Sequence, residues 1–172
     1  PMTAHELLIM LNSVHSFSFI TATYGADEAQ FSLLRKSIEY SKLHNIPHKF
    51  VVHTEDKPVF ERYQNTDATC FASADLLPEI LEKKRISSAY YSKVCGSRIT
   101  TWLGGTARRL GVPKWPHYTG WHMQQISKLS LAASCDEEYA IIIDSDALIT
   151  PNAHFSELND KGSLLCFSQR VD

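Results

Sequence analysis

Five apolar residues, Tyr139 to Ile143 (YAIII), run straight into Asp144-Ser145-Asp146. A stretch of this kind reads as a central strand, buried on both faces of a parallel sheet. In extended backbone successive side chains alternate, so Asp144 and Asp146 are expected to point one way and Ser145 the other. Two carboxylates then converge just past the carboxyl end of a buried strand, where open α/β sheets bind their ligands. Carboxylates this close repel one another unless a cation shares them, and their all-oxygen character suits Mg²⁺ or Mn²⁺ rather than zinc. Such an ion can bridge two phosphates and neutralise charge on a departing diphosphate. Taken alone, the same two aspartates would serve equally well to cap a strand-to-turn transition. The surrounding elements have to decide between the two.

Phe17 to Tyr24 (FSFITATY) is a β-rich stretch ending at Gly25, as a buried strand feeding a turn would. Asp27 with Gln30 three residues on reads as a capping box. Phe31, Leu34, Ile38 and Ser41 then recur at helical spacing, which predicts a helix over 27–44 stopped by Asn45-Ile46-Pro47. Lys49 to Thr54 is a second strand, with Asp56 and Pro58 marking the turn after it. Strand, helix and strand make a βαβ unit, so the sheet is expected to be parallel with right-handed crossovers. Thr69 to Ser73 is a short third strand. Leu76 to Leu110 is helical in character but punctuated by Gly96, Gly104-Gly105 and Gly111. Trp121 to Ser134 is a helix with Ile126, Leu129 and Ala133 on its expected buried side. Beyond the aspartates, Pro151 and Asn152 turn the chain, Ala153 to Leu158 reads as a short helix and Ser163 to Phe167 as a last strand. The fold expected is a single three-layer α/β/α domain over 1–172 with a mostly parallel sheet.

Composition narrows the function classes. The formal net charge of the 172 residues is -2, so no overall basic field draws in nucleic acid or an anionic bilayer. The four cysteines show no CxxC spacing and the eight histidines no HxH or HExxH pattern, which argues against zinc sites and disulfide frameworks. Leu7 to Leu11 is too short for a membrane span and lacks the basic lead of a signal peptide. A cytoplasmic protein with reduced thiols is the expectation. Pro1 ahead of Met2 reads as a tag remnant.

The stretch KLSLAASCDEEYAIIIDSDALITPNAHFSEL resembles glycogenin and its relatives among the sugar-nucleotide transferases of the A-type (GT-A) fold. Its matching parts are Lys128-Leu129 on a helix, a turn at Asp136 to Glu138, the apolar strand, Asp-x-Asp, and Phe155 near the start of a short helix. The opening SFITATYGADEAQFSLLRKSIEYSKLH is similar to that family's first strand and helix, and the resemblance covers residues 17–56 and 120–168. The G-W-x-x-Q-Q-x-x-K-L form at Gly120 to Leu129 looks closer still to uncharacterised bacterial glycosyltransferases linked to surface polysaccharides. The resemblance implies a metal-dependent glycosyltransferase moving a sugar from a nucleotide-diphosphate sugar, UDP favoured, to a glycan acceptor. Thr21, Ala22, Thr23 and Tyr24 would line the base and ribose pocket. Lys128 would reach the donor phosphates, Asp144 the ribose and the metal, and Asp146 the metal directly.

Other residues enter on their own chemistry. Gln124 and Gln125 can hydrogen-bond sugar hydroxyls. Trp102, Trp115 and Trp121 can stack on sugar rings, although tryptophan more often packs. The family's third metal ligand is a histidine far beyond Asp-x-Asp, and His154 is too close to match it. Residues after Asp172 are therefore expected to supply that ligand and the acceptor pocket. Two rivals stand beside this reading. One is a GT-A-like module that binds nucleotide or glycan without turnover. The other, a haloacid-dehalogenase-type phosphatase, expects Gly-Thr after Asp-x-Asp, where this chain has Ala147-Leu148.

Overall fold

A computed structural model describes residues 16–96 and 120–153, single positions between those spans, and the backbone of 159–160 and 163–164. Four strands, β1 (Phe17–Ala22), β2 (His48–Val52), β3 (Ala68–Ala72) and β4 (Tyr139–Ile142), form one sheet in the order β3-β2-β1-β4. Every pairing is parallel, with Thr21 beside Phe50, Phe50 beside Cys70 and Ile20 beside Ile142. The chain lays down β2 and β3 on one side of β1, then crosses back to place β4 on the other. That reversal puts the topological switch point between β1 and β4.

Helices cover both faces, so the layers are α/β/α. Helix α1 (Glu28–Tyr40) buries Phe31, Leu34, Arg35 and Ile38, the stripe its periodicity predicts. Phe31 is the hub of that layer, with ring centroids 4.7 Å from Phe50, 5.4 Å from Phe60 and 5.3 Å from Tyr63. Burying each such side chain contributes roughly 1.5–3 kcal/mol. Helix α5 (Gly120–Ala133) closes the opposite face, where Leu131 packs against Ile20, Ala22 and Val51. Between β2 and α5 run α2 (Lys57–Phe60), α3 (Ser73–Leu76) and α4 (Glu79–Cys95). Pro58 sits in the first turn of α2, where its missing N–H costs nothing. A short antiparallel pair, β5 (Asn159–Asp160) with β6 (Ser163–Leu164), follows β4.

A polar relay also crosses the core. His48 is fully buried, with Nε2 2.9 Å from Thr21 Oγ1 and Nδ1 3.1 Å from Arg35. A guanidinium can only donate, so Nδ1 accepts from Arg35 and Nε2–H donates to the Thr21 hydroxyl. Burial, reinforced by the Arg35 charge, lowers the imidazole to about 3 and keeps it neutral.

Several expectations are corrected. Asp27 makes no side-chain capping bond; a 3-10 turn over Gly25–Asp27 leads into α1 instead. The helix stops at Tyr40 rather than residue 44, because Ser41 is already extended and its hydroxyl donates to Ile38 O at 2.8 Å. Helix α5 buries Met123, Ser127, Lys128 and Leu131, while Leu129 is 61 % exposed and Ala133 also lies outside. The row that faces the sheet is the one carrying Lys128 to the end of β4, and apolar content alone did not reveal it. Strand β4 is an outer strand of the described sheet, not a central one, and Ile142 is 46 % exposed. A run of isoleucines shows that a strand seeks burial, not which neighbour it finds. The expected helix after Ala153 and the strand beyond Leu164 lie outside the described residues, as do Trp115, His154 and Phe155. Among the described residues no helix is long and apolar enough to cross a membrane.

Candidate functional site

The carboxyl ends of β1 and β4 lie side by side, since Ile143 N–H donates to Ile20 O at 2.9 Å. Just beyond, Ala22 at the end of β1 and Asp144 after β4 line one cleft of about 280 Å³ at the switch point. Asp144-Ser145-Asp146 is a turn rather than an extended segment, closed by Ala147 N–H to Asp144 O at 3.1 Å. Within the turn Ser145 is buried and both aspartates are exposed, an arrangement set by the turn rather than by the strand alternation expected of an extended segment. All three line the cleft. The chain after the turn is anchored to α1, where Ile149 N–H donates to Ser37 Oγ at 3.0 Å and Ala147 and Ile149 join the Phe19–Leu34–Ile38 cluster.

Across the cleft stand Trp121, Gln124 and Gln125 on the first turns of α5. Asp27 and Gln30 complete the lining from the start of α1. Asp27 is a third carboxylate at the site, hidden in the sequence because Asp before a helix reads as a cap. It also raises the Tyr24 phenol above its ordinary range, by its charge first and then by burial and a hydrogen bond.

A second cleft of about 310 Å³ adjoins the first and shares Trp121 and Gln124 with it. Its other walls are Tyr24 and His53, whose rings stack 5.9 Å apart at 25°. Gly25 holds this corner together: its N–H donates to Asp56 Oδ2 at 2.7 Å, and a Cβ there would lie 2.8 Å from Asp56 Oδ1. Burial and then the Arg85 charge lower His53 below its ordinary value. His53 carries no motif, so only the pairing of strand ends reveals it.

Behind the second cleft lies an ionic cluster. Arg85 is buried and donates to Glu55 at 2.8 and 2.6 Å and to Glu82 at 3.0 and 2.8 Å. Glu82 Oε1 also accepts from Ser73 at 3.0 Å and Thr54 at 3.2 Å. The cluster ties α4 to the end of β2. Arg85 also lines a small cavity with Thr23 and Ser127, and the buried Thr23 hydroxyl has no hydrogen-bond partner.

The residues singled out in the sequence therefore divide. Ala22, Gln124, Gln125, Asp144 and Asp146 meet in one cleft, and Tyr24 lines the adjoining one. Lys128 is buried and reaches the site through an ion pair with Asp144 Oδ1. Thr23 stands behind the clefts, and Thr21 belongs to the His48 relay and lines neither cleft. Among the described residues no group of three or more His, Cys, Asp or Glu side chains is placed to hold a metal ion.

The sheet order, the helices on both faces and the cleft at the switch point make this an α/β protein of Rossmann-like fold. Residues 11–172 match a family of unknown function (DUF6492), and the chain belongs to that family. No curated protein and no solved structure matches it.

Proposed function

We propose that the paired clefts bind a nucleotide-diphosphate sugar, UDP-linked by preference, and that the protein transfers the sugar to a glycan acceptor. The observation that carries this reading is the meeting of Asp144 and Asp146 with Gln124 and Gln125 at the switch point, next to an aromatic-walled cleft. A base fits against the Tyr24–His53 stack, and the glutamine amides suit sugar hydroxyls.

The donor set fits a hard cation held jointly with the diphosphate. Two exposed carboxylates supply only part of the roughly six oxygens that Mg²⁺ or Mn²⁺ requires. Asp144 and Asp146 would hold the ion, which when bound neutralises charge on the diphosphate. The chain's own part is to orient. Lys128 fixes the Asp144 carboxylate, and the Gly25–Asp56 contact fixes the loop that carries Tyr24. The free thiols of Cys70, Cys95 and Cys135 accord with a cytoplasmic setting, part of the same proposal.

A thermal-shift panel of nucleoside diphosphates and sugar nucleotides, with and without Mn²⁺, tests the binding. A ligand at a hundredfold excess over its Kd stabilises the native state by about 2.7 kcal/mol. Stabilisation by UDP or a UDP-sugar only with Mn²⁺ is expected, and a flat panel refutes the reading. Slow UDP release from the responding donor separates a transferase from a module that binds without turnover.

A further inference from the structure

The net charge of -2 conceals a strong segregation along the chain. Between Glu82 and Asp136 there are nine lysines and arginines and no acidic residue, whereas the rest of the chain carries eight basic and nineteen acidic residues. This run begins in α4 and leads into α5. Helix α4 is also turned inside out. Its inner side buries the charged Glu82 and Arg85, while Ile86, Tyr90 and Val94, four residues apart, face outward at 52 %, 62 % and 63 % exposure. Lys83 and Lys93, both exposed, lie on the same side of the helix as that stripe, Lys83 in an i,i+4 ion pair with the exposed Glu79. Beyond α4, Ile99, Trp102 and Leu110 are exposed as well, the last two at 68 % and 74 %. The Thr106 hydroxyl donates to Trp102 O at 3.1 Å and Leu110 N–H to Thr106 O at 3.0 Å, so Trp102, Thr106 and Leu110 follow one another on helical turns.

A solvent-facing helix side normally carries charge, and exposed aliphatic side chains such as Ile86 and Val94 offer apolar area to a partner. We infer that this segment docks the protein on an anionic lipid bilayer, inserting its apolar stripe among the acyl chains while exposed cations such as Lys93 and Arg109 meet the headgroups. The charge pattern selects this occupant. Arg85 and Lys128 are buried and ion-paired, but the other seven cations of this acid-free run complement a negatively charged leaflet, and basic residues interleaved with Trp, Leu and Ile are what an interfacial segment presents. A second copy of the chain would bring the same cations face to face. Averaging over the whole chain hides this segregation from the net charge.

Flotation of the full chain with vesicles tests the inference. Vesicles of equal parts phosphatidylglycerol and phosphatidylcholine should carry the protein upward, and pure phosphatidylcholine should leave it behind. Replacing Lys83 and Lys93 by Gln should weaken binding by about fivefold per cation removed. The double variant Trp102→Ser, Leu110→Ser should lose it, with the circular-dichroism spectrum and melting temperature unchanged because both side chains are already exposed. Asp146→Ala, which alters only the acidic cleft, should float like the parent. Absence of flotation with anionic vesicles, equal flotation with neutral ones, or undiminished flotation of the Ser variant overturns the inference. So does a concentration-dependent dimer that the Ser variant abolishes, since a second copy would then be the occupant.

Discussion

Lys128, on the inner row of α5, is ion-paired with Asp144 at the carboxyl end of β4, with side chains 3 % and 69 % exposed respectively. The pair joins the helical layer to the sheet at the switch point. Its two ends differ in their access to water, and that difference has thermodynamic consequences.

Lys128→Met keeps the packed aliphatic stem and leaves behind a carboxylate that water can reach. Its cost in stability should stay below about 1 kcal/mol, as for exposed pairs. Asp144→Asn leaves the buried ammonium without its counter-charge, and should cost more, on the order of 1–3 kcal/mol. Urea unfolding of the two variants measures both. If Lys128→Met proves the more damaging, the ammonium is not the dependent partner. Lys128→Met should also weaken UDP-sugar binding despite its near-parental stability, because Asp144 is no longer held in place.

Asp146 is exposed and stands apart from the packed core, so Asp146→Ala should change stability by no more than about 0.5 kcal/mol. The proposed metal role predicts that the same change removes the Mn²⁺-dependent part of nucleotide binding. Isothermal titration with UDP, with and without Mn²⁺, reads both quantities. Parental affinity in the variant would make the aspartates a strand-end turn and nothing more.

His48 makes stability depend on pH in a defined direction. Its folded pKa of about 3 lies below the ordinary histidine value, so in the interval between them the unfolded chain binds the extra proton. Stability is therefore full above about pH 6.5 and falls as the pH drops toward 3. From pH 6.5 to 4 the loss should be on the order of 3 kcal/mol. Protonation would also set a second cation against Arg35. Urea midpoints across this range should show the slope in the parent and lose most of it in His48→Gln. An unchanged slope would assign the effect to other groups.

The amino-acid sequence by itself determined where strands and helices form, because local patterns carry that information. The β-rich FSFITA, HKFVV and ATCFA stretches became β1, β2 and β3, and Phe31, Leu34 and Ile38 faced inward as their spacing requires. It also singled out Asp144 and Asp146, which line the first cleft, since two aspartates behind an apolar strand are chemically conspicuous. Tertiary structure alone decided the rest. Strand order put β1 rather than β4 at the middle of the described sheet, because pairing depends on crossovers that join distant segments. The same crossovers brought Asp27, Gln30 and His53 to the clefts and sent Thr21 into the core against His48. The inner row of α5 was chosen by the fit of Leu131 to the sheet and of Lys128 to Asp144. These outcomes rest on contacts between residues far apart in the chain, and periodicity within a single segment cannot encode them.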